Sequence, residues 1–269
     1  MISLGINGAA GRMGQRLIAL AADDPDLRLV AALEREEHPS LGRDVGPLAG
    51  APALHLPIAT TWPTPPQVVI DFTHPDALRQ LLGRARDAGV ALVIGTTGLG
   101  DDDHAQLDAA ADDIPVLQAP NMSLGVNLLF SLASQVARQL GDDYDIEILE
   151  AHHRHKLDAP SGTALGLAEA ICQSTGKRID QDVVHGRQGH QPRKPGEIGM
   201  HAMRLGDEVG RHTVCFAAPG EQIELAHRAT TRDVFARGAL RAAKWLADRP
   251  PGRYAMADVL GLGASNSHG

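Results

Sequence analysis

Along the first 120 positions the apolar residues fall into short clusters whose period changes repeatedly. Runs rich in Val, Ile, Leu and Ala at Ile2–Ile6, Leu27–Leu33, Val68–Phe72, Ala91–Gly95 and Pro115–Gln118 have the length and β-branched content of buried strands. Between them, Gly11–Ala22, Asp76–Ala88 and Asp101–Asp112 place Ala and Leu at helical spacing over about two to three turns. Strands alternating with helices predict βαβ units on a parallel sheet. The stretch from Glu36 to Pro66 scatters Pro, Gly and His and is predicted to be irregular, with one short strand at Ala53–Leu56.

The pattern changes near residue 122. Ser123, then Val126, Leu129, Phe130, Ala133, Ala137 and Leu140, then Gly141, reads as an N-cap, an apolar stripe and a glycine stop. A strand at Asp145–Ala151 and a helix at Ala164–Cys172 follow. Three strands, Ile198–Leu205, Val209–Ala217 and Gln222–Arg228, then succeed one another without helices, which predicts an antiparallel or mixed sheet. Between Gln173 and Glu197 the periodicity disappears, as in long functional loops. A last helix, Asp233–Ala247, presents Phe235, Ala239, Ala242 and Leu246 on one face and stops before Pro250-Pro251. The expected fold is α/β: a parallel-sheet domain of residues 1–122, then an α+β domain of residues 123–232 with a mixed or antiparallel sheet.

Composition narrows the function. Hydrophobic residues make up 43% and charged residues 22%, the balance of a soluble globular protein, and 33 acidic against 25 basic residues leave a net charge of −8. Such a surface repels phosphate backbones, and with 2 Trp, 2 Tyr and 4 Phe it has few platforms for bases, so no nucleic-acid partner is expected. No apolar run reaches the roughly 18 residues of a membrane span, and the first residues carry no basic leader. Cys172 and Cys215 form no Cys-x-x-Cys pattern and read as buried hydrophobes of a reducing cytoplasm.

The first candidate site follows the first strand. Gly8, Gly11 and Gly14 open a helix, so the backbone can approach a pyrophosphate whose charge meets unpaired N–H groups. The usual Gly-x-Gly-x-x-Gly spacing is altered by one position. Glu34 lies twenty residues beyond Gly14, at the end of the second strand, where a carboxylate accepts from an adenosine ribose hydroxyl. This predicts a Rossmann-type dinucleotide site. Arg35 beside it can face a 2′-phosphate, so NADH, NADPH or both remain open. Gly95-Thr96-Thr97-Gly98 and Ala119-Pro120-Asn121-Met122 follow later strands and can line the nicotinamide end, or be plain turns.

The second candidate is Glu150-Ala151-His152-His153-Arg154-His155-Lys156-Leu157-Asp158-Ala159-Pro160-Ser161-Gly162-Thr163-Ala164, a local excess of cations in an acidic chain. Ser161 marks a helix start and is read as substrate-binding together with Gly162 and Thr163, whose free N–H groups can hold a carboxylate, with Lys156 supplying countercharge. Arg154 and His155 read as solvated. Three His and Asp158 also suggest zinc, but Arg154 and Lys156 set fixed positive charge beside any cation, so no metal is expected.

At these residues the chain resembles the dihydrodipicolinate reductase family. Glu-Ala-His-His-Arg-His-Lys-x-Asp-Ala-Pro-Ser-Gly-Thr-Ala at 150–164 carries the likeness, together with Gly-Arg-Met-Gly at 11–14, Ala-Leu-Glu-Arg at 32–35, Ile-Asp-Phe-Thr at 70–73 and Gly-Thr-Thr-Gly at 95–98. Arg187, Gly189, Arg193 and Gly196–Gly199 resemble the family's long loop. The chain departs from it at Pro120 and Met122. The resemblance implies NADH- or NADPH-dependent reduction of a cyclic unsaturated imine dicarboxylate to tetrahydrodipicolinate, on the diaminopimelate route to lysine, in a cytoplasmic homotetramer. It implies that His152 donates the proton, that Lys156 assists and binds substrate, and that His153, Gly162 and Thr163 contact substrate. It also implies cofactor contacts at Gly8, Ala9, Ala10, Gly11, Arg12 and Met13, at Glu34 and Arg35, at Gly95, Thr96 and Thr97, and at Ala119, Pro120, Asn121 and Met122. The family's tail returns to the first domain, so residues 233–269 are expected to join residues 1–122.

The chemistry is consistent with the residue types. Hydride delivered to a conjugated carbon leaves an enamine that must be protonated, and imidazole is suited to that work near neutral pH. On this reading a cationic pocket of the rear domain meets the reduced nicotinamide held by the front one. Two rivals differ in class. A nucleotide-sensing Rossmann regulator would need no convergent His/Lys pair, and a zinc hydrolase would contain stoichiometric metal.

Overall fold

A computed structural model of the chain describes residues 1–262; the end of the expected first domain, 263–269, lies outside the described residues. The chain divides into two compact units, Met1–Ser123 with the chain from Asp233 on, and Leu124–Arg232.

In the first unit the chain runs β1 (Ile2–Asn7), α1 (Arg12–Ala22), β2 (Leu27–Leu33), α2 (Val45–Leu48), β3 (Val68–Asp71), α3 (Pro75–Ala88), β4 (Ala91–Ile94), α4 (Asp101–Ala111) and β5 (Pro115–Gln118). The second unit holds α5 (Leu124–Leu140), β6 (Asp145–His152), α6 (Gly162–Thr175), α7 (Ile179–Asp182), β7 (Val183–His185), β8 (Ile198–Arg204), β9 (Gly210–Ala218) and β10 (Glu221–Ala229). The chain returns to the first unit with α8 (Asp233–Leu246), β11 (Gly252–Tyr254) and α9 (Met256–Val259).

The first sheet is parallel throughout, in the order β11-β5-β4-β3-β1-β2. Its centre explains the unbroken apolar runs: every residue of β3 and β4 is buried, because helices cover both faces. Leu78, Leu82, Leu92, Ile94, Leu107 and Val116 belong to one core cluster. The last long helix, α8, packs on α1, β3, β4 and β5. Parallel strands end on one edge, so the loops after β1, β3, β4 and β5 gather there.

The second sheet is mixed, in the order β10-β9-β6-β8-β7. β6 runs parallel to β8 and antiparallel to β9, and β9 and β10 form a hairpin. Ile146, Ile148, Val214 and Phe216 point to one face and pack with Leu129, Leu167 and Ile171 of α5 and α6. Alternation sends Glu147, Leu149 and Ala151 to the other face.

Several boundaries differ from the sequence expectation by one or two residues. The expected strand at Ala53–Leu56 does not form. That segment is held instead by isolated bridges, Asp44 with Pro57 and Leu33 with Ala59, and by N–H groups of Gly46, Leu54 and His55 donating to Asp44. The short α2, α7, β7, β11 and α9 were not expected. Each is four residues or fewer, too short for a periodicity to register.

Candidate active site

In the first unit the glycine loop has the backbone its spacing suggests. Gly8 has φ +74°, and a Cβ there would stand 2.7 Å from Thr73 Cγ2. A Cβ on Gly14 would stand 2.1 Å from the Gly8 carbonyl oxygen, so only glycine lets α1 start this close to the turn. The N-cap of α1, Gly11, supplies no side-chain bond, and no acidic residue lies in the first turn. That helix end therefore keeps N–H donors and positive character for an anion.

A cavity of about 650 Å³ adjoins the loop, lined by Gly8, Gly11, Glu34, Arg35, Thr73 and Arg84 among others. Glu34 is half-exposed and accepts a hydrogen bond from the Ala10 N–H at 3.3 Å, while Arg35 and Arg12 are exposed. These features fit a dinucleotide: a turn that admits phosphate, a carboxylate at ribose distance along the chain, and a cavity of ligand size.

The remaining predicted positions of this unit divide by exposure. Thr97 and Pro120 are exposed, and Gly95 and Asn121 are half-exposed. Ala9, Thr96, Ala119 and Met122 are buried, leaving the main chain as their route to a ligand. The Thr96 hydroxyl donates to Asp71 at 2.5 Å and accepts from the Thr73 N–H at 2.8 Å.

In the second unit β6 delivers Glu150 and His152 to the same face, two residues apart. Glu150 has no solvent exposure, yet it is ionised. Burial acts to raise its pKa, and hydrogen bonds from Arg204 and His152 overcome burial and hold it below the usual carboxylate range. Both terminal nitrogens of Arg204 donate to the two Glu150 oxygens at 2.9 Å. The Ser161 N–H adds a third donor at 3.1 Å.

Against an ionised Glu150, the His152 Nδ1 at 2.6 Å is the donor, which leaves Nε2 as the other ring nitrogen. A Cβ on Gly210, the first residue of β9, would stand 3.1 Å from that Nε2. His212 meets His152 edge to face at 5.2 Å between ring centroids, and its Nε2 lies 3.1 Å from the Ser161 hydroxyl. Burial, with His152 nearby, lowers the pKa of His212 to about 4, so this ring is neutral.

Ser161 caps α6, its hydroxyl accepting from the Ala164 N–H, and is only 2% exposed. Its polar atoms are therefore used internally, and Gly162 is the exposed residue at the helix start. Lys156 pairs with Asp158 at 2.9 Å, and that pairing keeps the Asp158 carboxyl below its usual range. Burial, then Arg232 and the neighbouring imidazoles, lowers His153. Arg154 and His155 are exposed.

Glu150 stands inside the sequence motif, and its i, i+2 relation to His152 on a strand is the signal that could have marked it as a partner. Arg204, Gly210 and His212 arrive from β8 and β9, and only strand pairing brings them to His152. Among the described residues, no group of three or more His, Cys, Asp or Glu side chains is arranged to hold a metal ion, and no helix is long and apolar enough to cross a membrane.

A parallel sheet with a glycine turn, joined to a mixed sheet bearing a histidine–carboxylate cluster, defines a two-domain Rossmann-type α/β protein. Residues 2–122 match the family model for the N-terminus of dihydrodipicolinate reductase, and residues 125–260 match that for its C-terminus. The chain belongs to the dihydrodipicolinate reductase family. It is 50% identical over 263 residues to the 4-hydroxy-tetrahydrodipicolinate reductase of Alkalilimnicola ehrlichii, covering 96% of this chain and 98% of that one. Likewise it is 50% identical over 262 residues to the 4-hydroxy-tetrahydrodipicolinate reductase of Ruegeria pomeroyi, covering 96% and 97%. A solved dipicolinate-bound dihydrodipicolinate reductase from Paenisporosarcina sp. TG-14 superposes with a TM-score of 0.76 at 25% identity, over 96% of this chain and 98% of that one.

Proposed function

We propose that the protein reduces the cyclic unsaturated imine dicarboxylate of the diaminopimelate route to tetrahydrodipicolinate, the 4-hydroxy-tetrahydrodipicolinate reductase reaction, with NADH or NADPH. The observation that carries this reading is the buried Glu150–His152 pair beside Lys156 and the start of α6, in a chain whose relatives bear that name. When bound, the reduced nicotinamide supplies the hydride.

The chain's own residues do the rest. Gly8, Ala9, Ala10, Gly11, Arg12 and Met13 hold the pyrophosphate, and Glu34 and Arg35 receive the adenosine ribose with or without its 2′-phosphate. The loops at Gly95–Thr97 and Ala119–Met122 border the nicotinamide. Lys156, His153, Gly162 and Thr163 bind the substrate carboxylates, and Ser161 fixes the helix start that presents them. His152 gives the proton at Nε2 to the carbon left electron-rich by hydride addition. Glu150 keeps the proton on Nδ1 and balances the imidazolium before transfer.

A cytoplasmic homotetramer completes the proposal. Its support is the second sheet's face opposite α5 and α6, where Leu149 is half-buried and Met203 is 39% exposed, apolar surface suited to a second copy. Condensing aspartate semialdehyde with pyruvate in situ and following nicotinamide absorbance with each cofactor tests the activity. NADPH rejection would assign the ribose site to Glu34, and equal use would assign it to both residues. Failure to oxidise either cofactor would refute the reading.

A further inference from the structure

We propose that Asp71 is the positioning residue of the dinucleotide site, locking the loops after β1, β3 and β4 into one arrangement through its two carboxylate oxygens. The proposal rests on the reading that this unit binds NADH or NADPH. Asp71 is the last residue of β3, flanked in register by Asn7 of β1 and Ile94 of β4, and it has no solvent exposure. Its Oδ1 accepts from Asn7 Nδ2 at 2.6 Å and from the Thr73 hydroxyl at 2.7 Å, and its Oδ2 accepts from the Thr96 hydroxyl at 2.5 Å. The donors come from three segments at the carboxyl edge of the sheet: Asn7 ends β1 just before the glycine turn, Thr73 lies in the β3–α3 loop, and Thr96 sits in Gly95–Gly98.

The three bonds form a chain of support that reaches the phosphate turn. The Thr96 hydroxyl, held by Asp71, accepts from the Thr73 N–H at 2.8 Å, so Thr73 is fixed at both its main chain and its side chain. The Thr73 methyl in turn backs Gly8 at a distance that admits no Cβ. On the other side the Gly95 N–H donates to the Asp71 carbonyl at 2.8 Å, and the Phe72 ring fills the space where a Gly95 side chain would stand.

Asp71 ends a strand whose other residues, Val68, Val69 and Ile70, are fully buried and apolar, and burial raises its carboxyl above the usual range. An apolar residue at Asp71 alone would leave the Asn7, Thr73 and Thr96 donors without their acceptor, whereas apolar residues at all four positions would need no carboxylate. A costly carboxylate kept where three loops meet is explained by what it holds in place.

The test uses the full chain. Binding of NADH and NADPH is measured directly by nicotinamide fluorescence in the wild type, Asp71→Asn and Thr96→Val, alongside thermal unfolding. Asn sets an amide N–H₂ against a donor, and Val removes the bridging hydroxyl. Each variant is expected to raise the cofactor Kd about tenfold to a hundredfold. The double variant should bind no more weakly than Asp71→Asn, since both act through one link. Exchange of the Gly8–Gly11 and Gly95–Gly98 amides should quicken, a change that a residue supporting only the core would not produce.

Folded variants with wild-type Kd values would overturn the proposal, as would a lowered thermal midpoint with unchanged Kd. Should Asp71→Asn fail to fold, Thr96→Val decides by the same criterion. A wild type that binds neither cofactor overturns the functional reading as well, whereas one that binds while both variants match it overturns the Asp71 role alone.

Discussion

The Nδ1 of His152 lies 2.6 Å from Oε2 of Glu150, a carboxylate sealed from solvent and gripped by both terminal nitrogens of Arg204. One side chain thereby determines which imidazole nitrogen carries the fixed proton and which one is left for the proposed transfer. The relationship is local in sequence, but Arg204, which keeps Glu150 charged, comes from a different strand.

Glu150→Gln removes the charge and can present its amide to Nδ1, favouring the wrong tautomer. Turnover is expected to fall about a hundredfold or more, within the span of general-acid effects, with cofactor Kd close to wild type. The unfolding midpoint should also drop, because Arg204 loses its anion. Steady-state kinetics beside a cofactor titration checks this. Unchanged kcat would reduce Glu150 to a structural ion-pair partner.

Gly210→Ala tests the space beside Nε2 of His152. The added Cβ would come within 3.1 Å of Nε2, so the ring must yield by a few tenths of an ångström. A fall of about tenfold in kcat with a near-normal thermal midpoint is expected, since small misplacements cost rate before stability. A wild-type kcat would show that Nε2 tolerates crowding and does not face the reaction.

Lys156→Met removes charge and positioning together. KM for the dicarboxylate should rise and kcat fall, with kcat/KM lowered about tenfold or more. In the structure the ammonium is shared with Asp158, which is 60% exposed and so readily exchanged for a substrate carboxylate. A change in thermal stability alone would make Lys156 structural.

His212 predicts the acid limb of stability. Its folded pKa of about 4 lies below the 6.5 of a free imidazole, so the unfolded chain binds the proton more tightly. The stability contributed by the neutral ring is complete above pH 6.5 and is lost as pH falls through the window toward 4, roughly 3 kcal/mol in all. Glu150, with its lowered pKa, adds loss of the same sign at the acid end. Urea unfolding between pH 7 and 4 should show this slope in the wild type and a flatter one in His212→Gln. Equal slopes would remove His212 as its source.

The elements marked by an unbroken apolar run or a helical stripe were readable: β2 and β5 fall on the expected residues, and α1, α4 and α8 differ by one residue at one end. The capping role of Ser161 was likewise visible from the residues around it. What escaped has a common cause. Arg204, Gly210 and His212 acquire meaning only when β8 and β9 flank β6, a pairing in which nearest neighbours in space are some fifty residues apart in sequence. Asp71 reads as the polar end of an apolar strand, and nothing local distinguishes a carboxylate that three loops need from one facing water. Periodicity reports which side of an element is buried; it does not report what stands across from it.

Turnover of His152→Gln under saturating NADH and NADPH, with substrate generated in situ and cofactor Kd measured on the same preparation, bears most directly on the proposed chemistry. A drop of about 10²–10⁴ in kcat with little change in Kd is predicted, the span expected when a general acid is removed. Undiminished turnover in that variant would contradict proton delivery from Nε2 and with it the role assigned to the Glu150–His152 pair.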